Sequence, residues 1–171
     1  MNINADYNIK WCGQSEHSAD SMPVGGHDIG CNVWSENNRI YLYIQQSGWF
    51  DENNSMLKFG RIRVEFEDGV VDDTIEQELV LEEGYIRLRI KDIQMEIWAD
   101  VRFPGVHLEY QRAALHDIKV YYESWRTQDR IVDRDSFELF QCKEVYKWPD
   151  QDAVFHRDTI EAEDERLVAY H

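Results

Sequence analysis

The chain has 171 residues, 34 acidic side chains against 18 basic ones, and a formal net charge of −16. That length supports one domain with a real core, and an apolar content of 43% excludes disorder as a global description. A polyanion repels phosphate backbones and anionic bilayer surfaces, so nucleic acid and membrane are not expected partners, and no run of 18 apolar residues is present to span a bilayer.

Met1–Asp6 has neither a basic stretch nor an apolar one and does not read as a signal peptide. The expectation is a cytoplasmic chain as written, or a periplasmic or secreted one if a leader was removed. Strand patterns dominate the rest of the chain, because apolar residues recur at every second position. In Arg39–Gln45, Ile40, Leu42 and Ile44 point one way, Tyr41 and Tyr43 the other. In Arg61–Glu67, Ile62, Val64 and Phe66 alternate with charges. Asp73–Leu81 has a helix-capping look, with Thr74 three residues before Gln77, but Ile75, Leu79 and Leu81 alternate and it reads as a strand. Tyr85–Ile90, the Met95/Ile97 pair, Val106–Tyr110 and Ile118–Tyr122 repeat the pattern, and Phe137 with Leu139 is a weaker case. Asp68-Gly69, Glu83-Gly84 and Pro104-Gly105 read as turns between them. Arg157–Leu167 is charged and reads as a short helix or a loop. No linker or repeat interrupts this order. The expectation is one all-β domain over 1–171, an antiparallel β-sandwich with little helix, of a supersandwich-like and incomplete kind.

The three cysteines, Cys12, Cys31 and Cys142, show no CxxC spacing and read as isolated thiols. Six histidines show no HxH or HExxH spacing, so no metal and no cofactor is expected.

Ser21–Trp34 reads SMPVGGHDIGCNVW. Three glycines and a proline lead directly into a strand, an arrangement that forms either a tight turn or a rim where backbone N–H groups meet a ligand. The segment resembles the P-[LIV]-G-N-G-x-[IL]-G opening motif of the N-terminal β-sandwich domain in α-L-fucosidase-like glycoside hydrolases, and is most similar to a related bacterial domain family of uncharacterised function. Trp11, Ser15 and Ser18 precede it. Trp49 with Asp51-Glu52-Asn53, then Leu57–Val64, Gln77–Gly84, Trp98-Ala99-Asp100, Glu123–Thr127 and Ala169-Tyr170-His171 continue the likeness in order. The motif's Asn-Gly is Gly26-His27 here, so the contact of an Asn side chain is missing. The resemblance implies that the turn faces a sugar cleft, and that in relatives more strands and a helical toroid with the catalytic acid and base follow the point where this chain ends.

Glycoside hydrolysis needs two carboxyl groups flanking the bond, and among 34 acids no pair stands out. Asp28 lies in the turn and is expected to accept backbone N–H bonds there rather than to catalyse. His27 either donates to a sugar hydroxyl or faces solvent. Trp34, Trp98 and Trp125 read as core, whereas Trp49, beside the polar 51–55 stretch, reads as a loop residue able to stack on a sugar. The candidate ligand site is therefore Gly25, Gly26, His27, Asp28 and Trp49, with no catalytic residue assigned. No G-x-S-x-G nucleophile is present. The expected function is a non-catalytic, carbohydrate-associated domain of glycoside hydrolase type. The alternatives are an assembly domain that forms a homodimer through exposed sheet edges and a stand-alone glycosidase.

Overall fold

The computed structural model describes residues 7–53, 55–66, 69, 71–112, 117–137, 139 and 152–171. The chain forms two compact units, Met1–Ser47 with Lys58–Glu123, and Gly48–Leu57 with Ser124–His171.

The first unit is a β-sandwich. One sheet holds β1 (Ile9–Cys12), β6 (Glu76–Val80), β7 (Tyr85–Ile90), β8 (Ile93–Ala99) and β9 (Val106–Arg112) in that order. The other runs β10 (Ile118–Glu123), β5 (Gly60–Phe66), β4 (Arg39–Gln46), β3 (Ile29–Glu36), β2 (Met22–Gly26). Every pairing in both is antiparallel. Alternation sets the faces: Ile86, Leu88, Met95 and Ile97 from one sheet meet Met22, Val33, Leu42 and Val64 from the other in one apolar core. A single turn of 3-10 helix, Ser18–Asp20, precedes β2. Among the described residues, no helix is long and apolar enough to cross a membrane.

Tight turns hold the register. Asn37-Asn38 joins β3 to β4 with both residues at positive φ (52° and 61°), the backbone of a two-residue hairpin turn that asparagine tolerates better than most residues. Gly84 takes φ 73° at the end of the β6–β7 turn, and its N–H returns to the Val80 carbonyl.

In the second unit, β11 (Arg130–Val132) pairs with β12 (Ala153–Phe155) over a small apolar cluster that includes Leu139. The Arg157–Leu167 expectation is corrected here. That stretch is neither helix nor loop but most of a hairpin, β13 (Thr159–Glu163) with β14 (Arg166–Tyr170). Asp164 turns it at φ 44°. The period-2 signal is present as Ile160, Ala162, Leu167 and Ala169 on one face, but the interleaved charges hide it. Phe137 and Leu139 are also corrected, since their backbone is helical rather than extended. Asp133 begins that turn by accepting the N–H groups of Asp135 (2.7 Å, side chain) and Ser136 (2.9 Å, backbone). Asp68 and Cys142 lie outside the described residues.

Candidate functional site

His27 and Asp28 alone connect β2 to β3. A Cβ on Gly26 would lie 2.8 Å from the Ala99 carbonyl oxygen and closer still to that of Asp100, so the absent side chain lets this hairpin press on the end of β8. His27 takes φ 47° and its Nδ1 lies 2.7 Å from Asp28 Oδ1. Gln46 Nε2 donates to the other carboxylate oxygen at 3.1 Å, and Ser47 N–H donates to the Asp28 carbonyl at 2.8 Å. The His27 ring, followed by the Gln46 amide, holds the Asp28 carboxyl below the usual carboxylate range. Asp28 is thus a turn fastener, as its position suggested, but its carboxylate engages neighbouring side chains more than backbone N–H groups.

The outward face of the same hairpin is open. Gly25 pairs with Gly30 across β2 and β3, so no side chain rises over that pair. A Cβ at Gly30 would meet nothing within 4 Å. Beside it lies a groove of about 270 Å³, lined by Pro23, Asn32, Tyr43, Gln45 and Lys58 among others, with no acid among the described residues of its walls. Register places Asn32 against Tyr43 and Gly30 against Gln45. The Tyr43 ring is braced by the edge of Trp34, 4.5 Å between centroids, and Lys58 Nζ lies 5.7 Å from its centroid. Two amides, one ring and a cation around a glycine floor suit a hydroxyl-bearing, flat-faced ligand.

Of the expected site residues, Gly25, Gly26, His27 and Asp28 share this hairpin. Trp49 belongs to the second unit, where it is half-buried and its carbonyl accepts the Leu57 N–H at 2.9 Å. Asn32, Tyr43, Gln45 and Lys58 escaped the sequence reading. For the first three, the outward parity of their strands was the signal that could have found them. Trp34 is buried, as expected. Trp98 and Trp125 are not core. Ile97 points inward, so Trp98 must point outward, where it is half-buried and stacks on His107 at 5.1 Å. Trp125 is 49% exposed.

The second unit has its own polar cluster, built from residues too far apart in sequence to suggest one another. His171 places Nδ1 3.1 Å from Asp158 Oδ1 and Nε2 3.0 Å from Glu52 Oε2. Arg126 Nε donates to Asp158 at 2.6 Å, and Ser124 Oγ donates to the same carboxylate. Burial works to raise the Glu52 pKa, but backbone N–H groups and the His171 ring outweigh it and keep the carboxyl below its usual range. Among the described residues, no group of three or more His, Cys, Asp or Glu side chains is arranged to hold a metal ion.

Fold and site together define an antiparallel two-sheet β-sandwich with a glycine-floored groove on the outer face of one sheet. A family model matches residues 10–171, and the chain belongs to that family, described as Domain of unknown function (DUF5703). No curated protein and no solved structure matches it.

Proposed function

We propose that this domain is a non-catalytic, carbohydrate-associated sandwich of glycoside hydrolase type, and that its outer-face groove lines a sugar-binding cleft. The observation that carries the reading is the bare Gly30 floor flanked by the Asn32 and Gln45 amides and the Tyr43 ring. Amides exchange hydrogen bonds with sugar hydroxyls, and an aromatic face packs on pyranose C–H groups. The resemblance of Ser21–Trp34 to the opening motif of α-L-fucosidase-like enzymes supports the same assignment, because those residues build the groove's floor and one wall. Asp28, held ionised, suits positioning rather than proton donation.

The test is calorimetric titration of the purified chain with plant and mucin-type oligosaccharides. One sugar class should bind saturably, and Gly30→Val, which raises a branched side chain from a floor where a Cβ meets nothing within 4 Å, should abolish that binding. Retained affinity in Gly30→Val would sink the groove assignment. Aryl α-fucosides and galactosides should not be hydrolysed by this chain alone.

The assembly reading is favoured by one observation, the exposure of Ile160, Leu167 and Val168 on β13 and β14. Apolar side chains left in water between the charges of a hairpin invite a partner. Light scattering after gel filtration, across a range of protein concentrations, decides it: a concentration-dependent dimer supports assembly, and a strict monomer opposes it.

A further inference from the structure

Among the described residues, β13 and β14 make a sheet of two strands and no more. Water reaches both of its faces. Every residue of β13 is exposed, and so are Arg166, Leu167, Val168 and Tyr170 of β14. A hairpin of two strands is marginal in water, and stability comes with a third strand or more and an apolar face. One face has that character. Register sets Ile160 against Ala169 and Ala162 against Leu167, so these four lie together, with Ile160 45% and Leu167 49% exposed. The opposite face carries Glu161 and Glu163 beside Arg166, Val168 and Tyr170. There Arg166 Nη2 lies 2.8 Å from Glu163, and the Tyr170 hydroxyl donates to Glu161 at 3.0 Å.

The backbone fixes which groups are left to pair. Glu163 and Arg166 flank the two-residue turn Asp164-Glu165, so they form a hydrogen-bonded pair, and alternation makes Glu161–Val168 and Thr159–Tyr170 the next two. The N–H and C=O groups of Leu167 and Ala169 therefore point away from β13, along the outer edge of β14, and those of Ile160 and Ala162 point outward from β13. The two edges differ in charge. β13 carries two glutamates and no base, and a second copy laid antiparallel on it would set Glu161 against Glu161, which like charge disfavours. β14 reads Arg-Leu-Val-Ala-Tyr and has no acid, in a chain that has 34. Two copies of β14 laid antiparallel about Val168 set Val168 on Val168, Leu167 against Ala169 and Arg166 against Tyr170. Leu167 and Ala169 of each copy then exchange N–H and C=O bonds with Ala169 and Leu167 of the other, and the apolar faces of the two hairpins run on across four strands. A contact of this isologous kind closes at two copies. We propose that β14 is a self-complementary edge at which two copies of this chain pair antiparallel, in the register centred on Val168. The inference rests on the assembly reading and names its edge and its register.

Light scattering of the full chain should show a concentration-dependent dimer. Ala169→Pro removes an outward N–H and no bond of the hairpin itself, and should weaken that dimer tenfold or more. Ile160→Pro makes the same change on β13 and should leave the dimer unchanged. Val168→Cys, in a Cys12→Ser background that removes an exposed native thiol, puts the two sulfurs beside the two-fold axis. The Cα atoms of a non-hydrogen-bonded pair lie about 4.5 Å apart, close enough for a disulfide. Mild oxidation should link that variant into a covalent dimer and leave the Cys12→Ser parent unlinked, and this result decides if circular dichroism shows Ala169→Pro to be misfolded. A dimer that persists in folded Ala169→Pro, or that does not cross-link in Val168→Cys, overturns the β14 register while assembly through another edge stands. A strict monomer overturns both.

Discussion

Burial decides what the thiols can do. Cys31 lies on the inner face of β3, and its desolvation pushes the thiol pKa up to about 12. Cys12 is exposed at the end of β1. Only the thiolate attacks an alkylating agent. Iodoacetamide at mildly alkaline pH should therefore modify Cys12 and spare Cys31 in the native protein, with both modified in urea. Peptide mapping by mass spectrometry checks this, and equal native rates would contradict it. A second residue-scale case is Asp72. It accepts the Thr74 hydroxyl at 2.5 Å and the Thr74 N–H at 2.9 Å, and pairs with Lys91 at 2.9 Å. The Thr74 hydroxyl first, then Lys91, lower its pKa from 3.8 to about 2. A carboxylate with a depressed folded pKa stabilises the fold above its unfolded value and loses that contribution as pH falls through the folded one. Asp72→Asn should therefore flatten the dependence of melting temperature on pH between about 4 and about 2, and leave a lower plateau at neutral pH.

Two glycines in one hairpin separate fold from site at the scale of the element. Gly26 has backbone carbonyls where a Cβ would go, and Gly30 has open space. Gly26→Ala should cost about 1–3 kcal/mol, by overpacking against β8. Gly30→Ala should stay within about 0.5 kcal/mol of the parent. Urea denaturation of both variants distinguishes them, and comparable losses would mean that Gly30 is not the floor of an open groove. The residue pattern reads Ser21–Gly30 as a glycine-rich turn leading into a strand; the turn is only His27-Asp28, and both glycines sit in the strands it joins. Which of them faces a carbonyl and which faces solvent was not legible in the sequence, because that depends on where β8 ends. The β13–β14 hairpin was missed for a related reason. Its apolar face is two residues deep on each strand, and charge density outweighed alternation.

At the scale of the whole molecule, the first unit's stability rests on the space between its sheets. Ile97 is fully buried there. Ile97→Ala should cost about 2–5 kcal/mol by chemical denaturation, through lost transfer energy and the cavity left behind. The outer faces contribute less each. Cross-strand pairs such as Lys10–Glu78 and Arg87–Glu96 are partly exposed to solvent, and such pairs contribute about 0–1 kcal/mol. A protein carrying −16 is thus held by its core and not by its charge pattern.

Period-2 alternation in the sequence alone determined most strands and the all-β class, because a one-residue slip would turn every apolar side chain from core to water. It also set the outward parity of Tyr43 and Trp98, although the aromatic character of Trp98 argued the other way. Only the tertiary structure decided which distant residues meet. Gly30, Asn32, Gln45 and Lys58 come together through the pairing of β3 with β4 and the chain's return at β5, and Gln77 reaches the Gly13 carbonyl across 64 residues of chain. Local pattern encodes which face a residue takes, but the contacts that build a site depend on long-range register, which no stretch of the chain carries by itself.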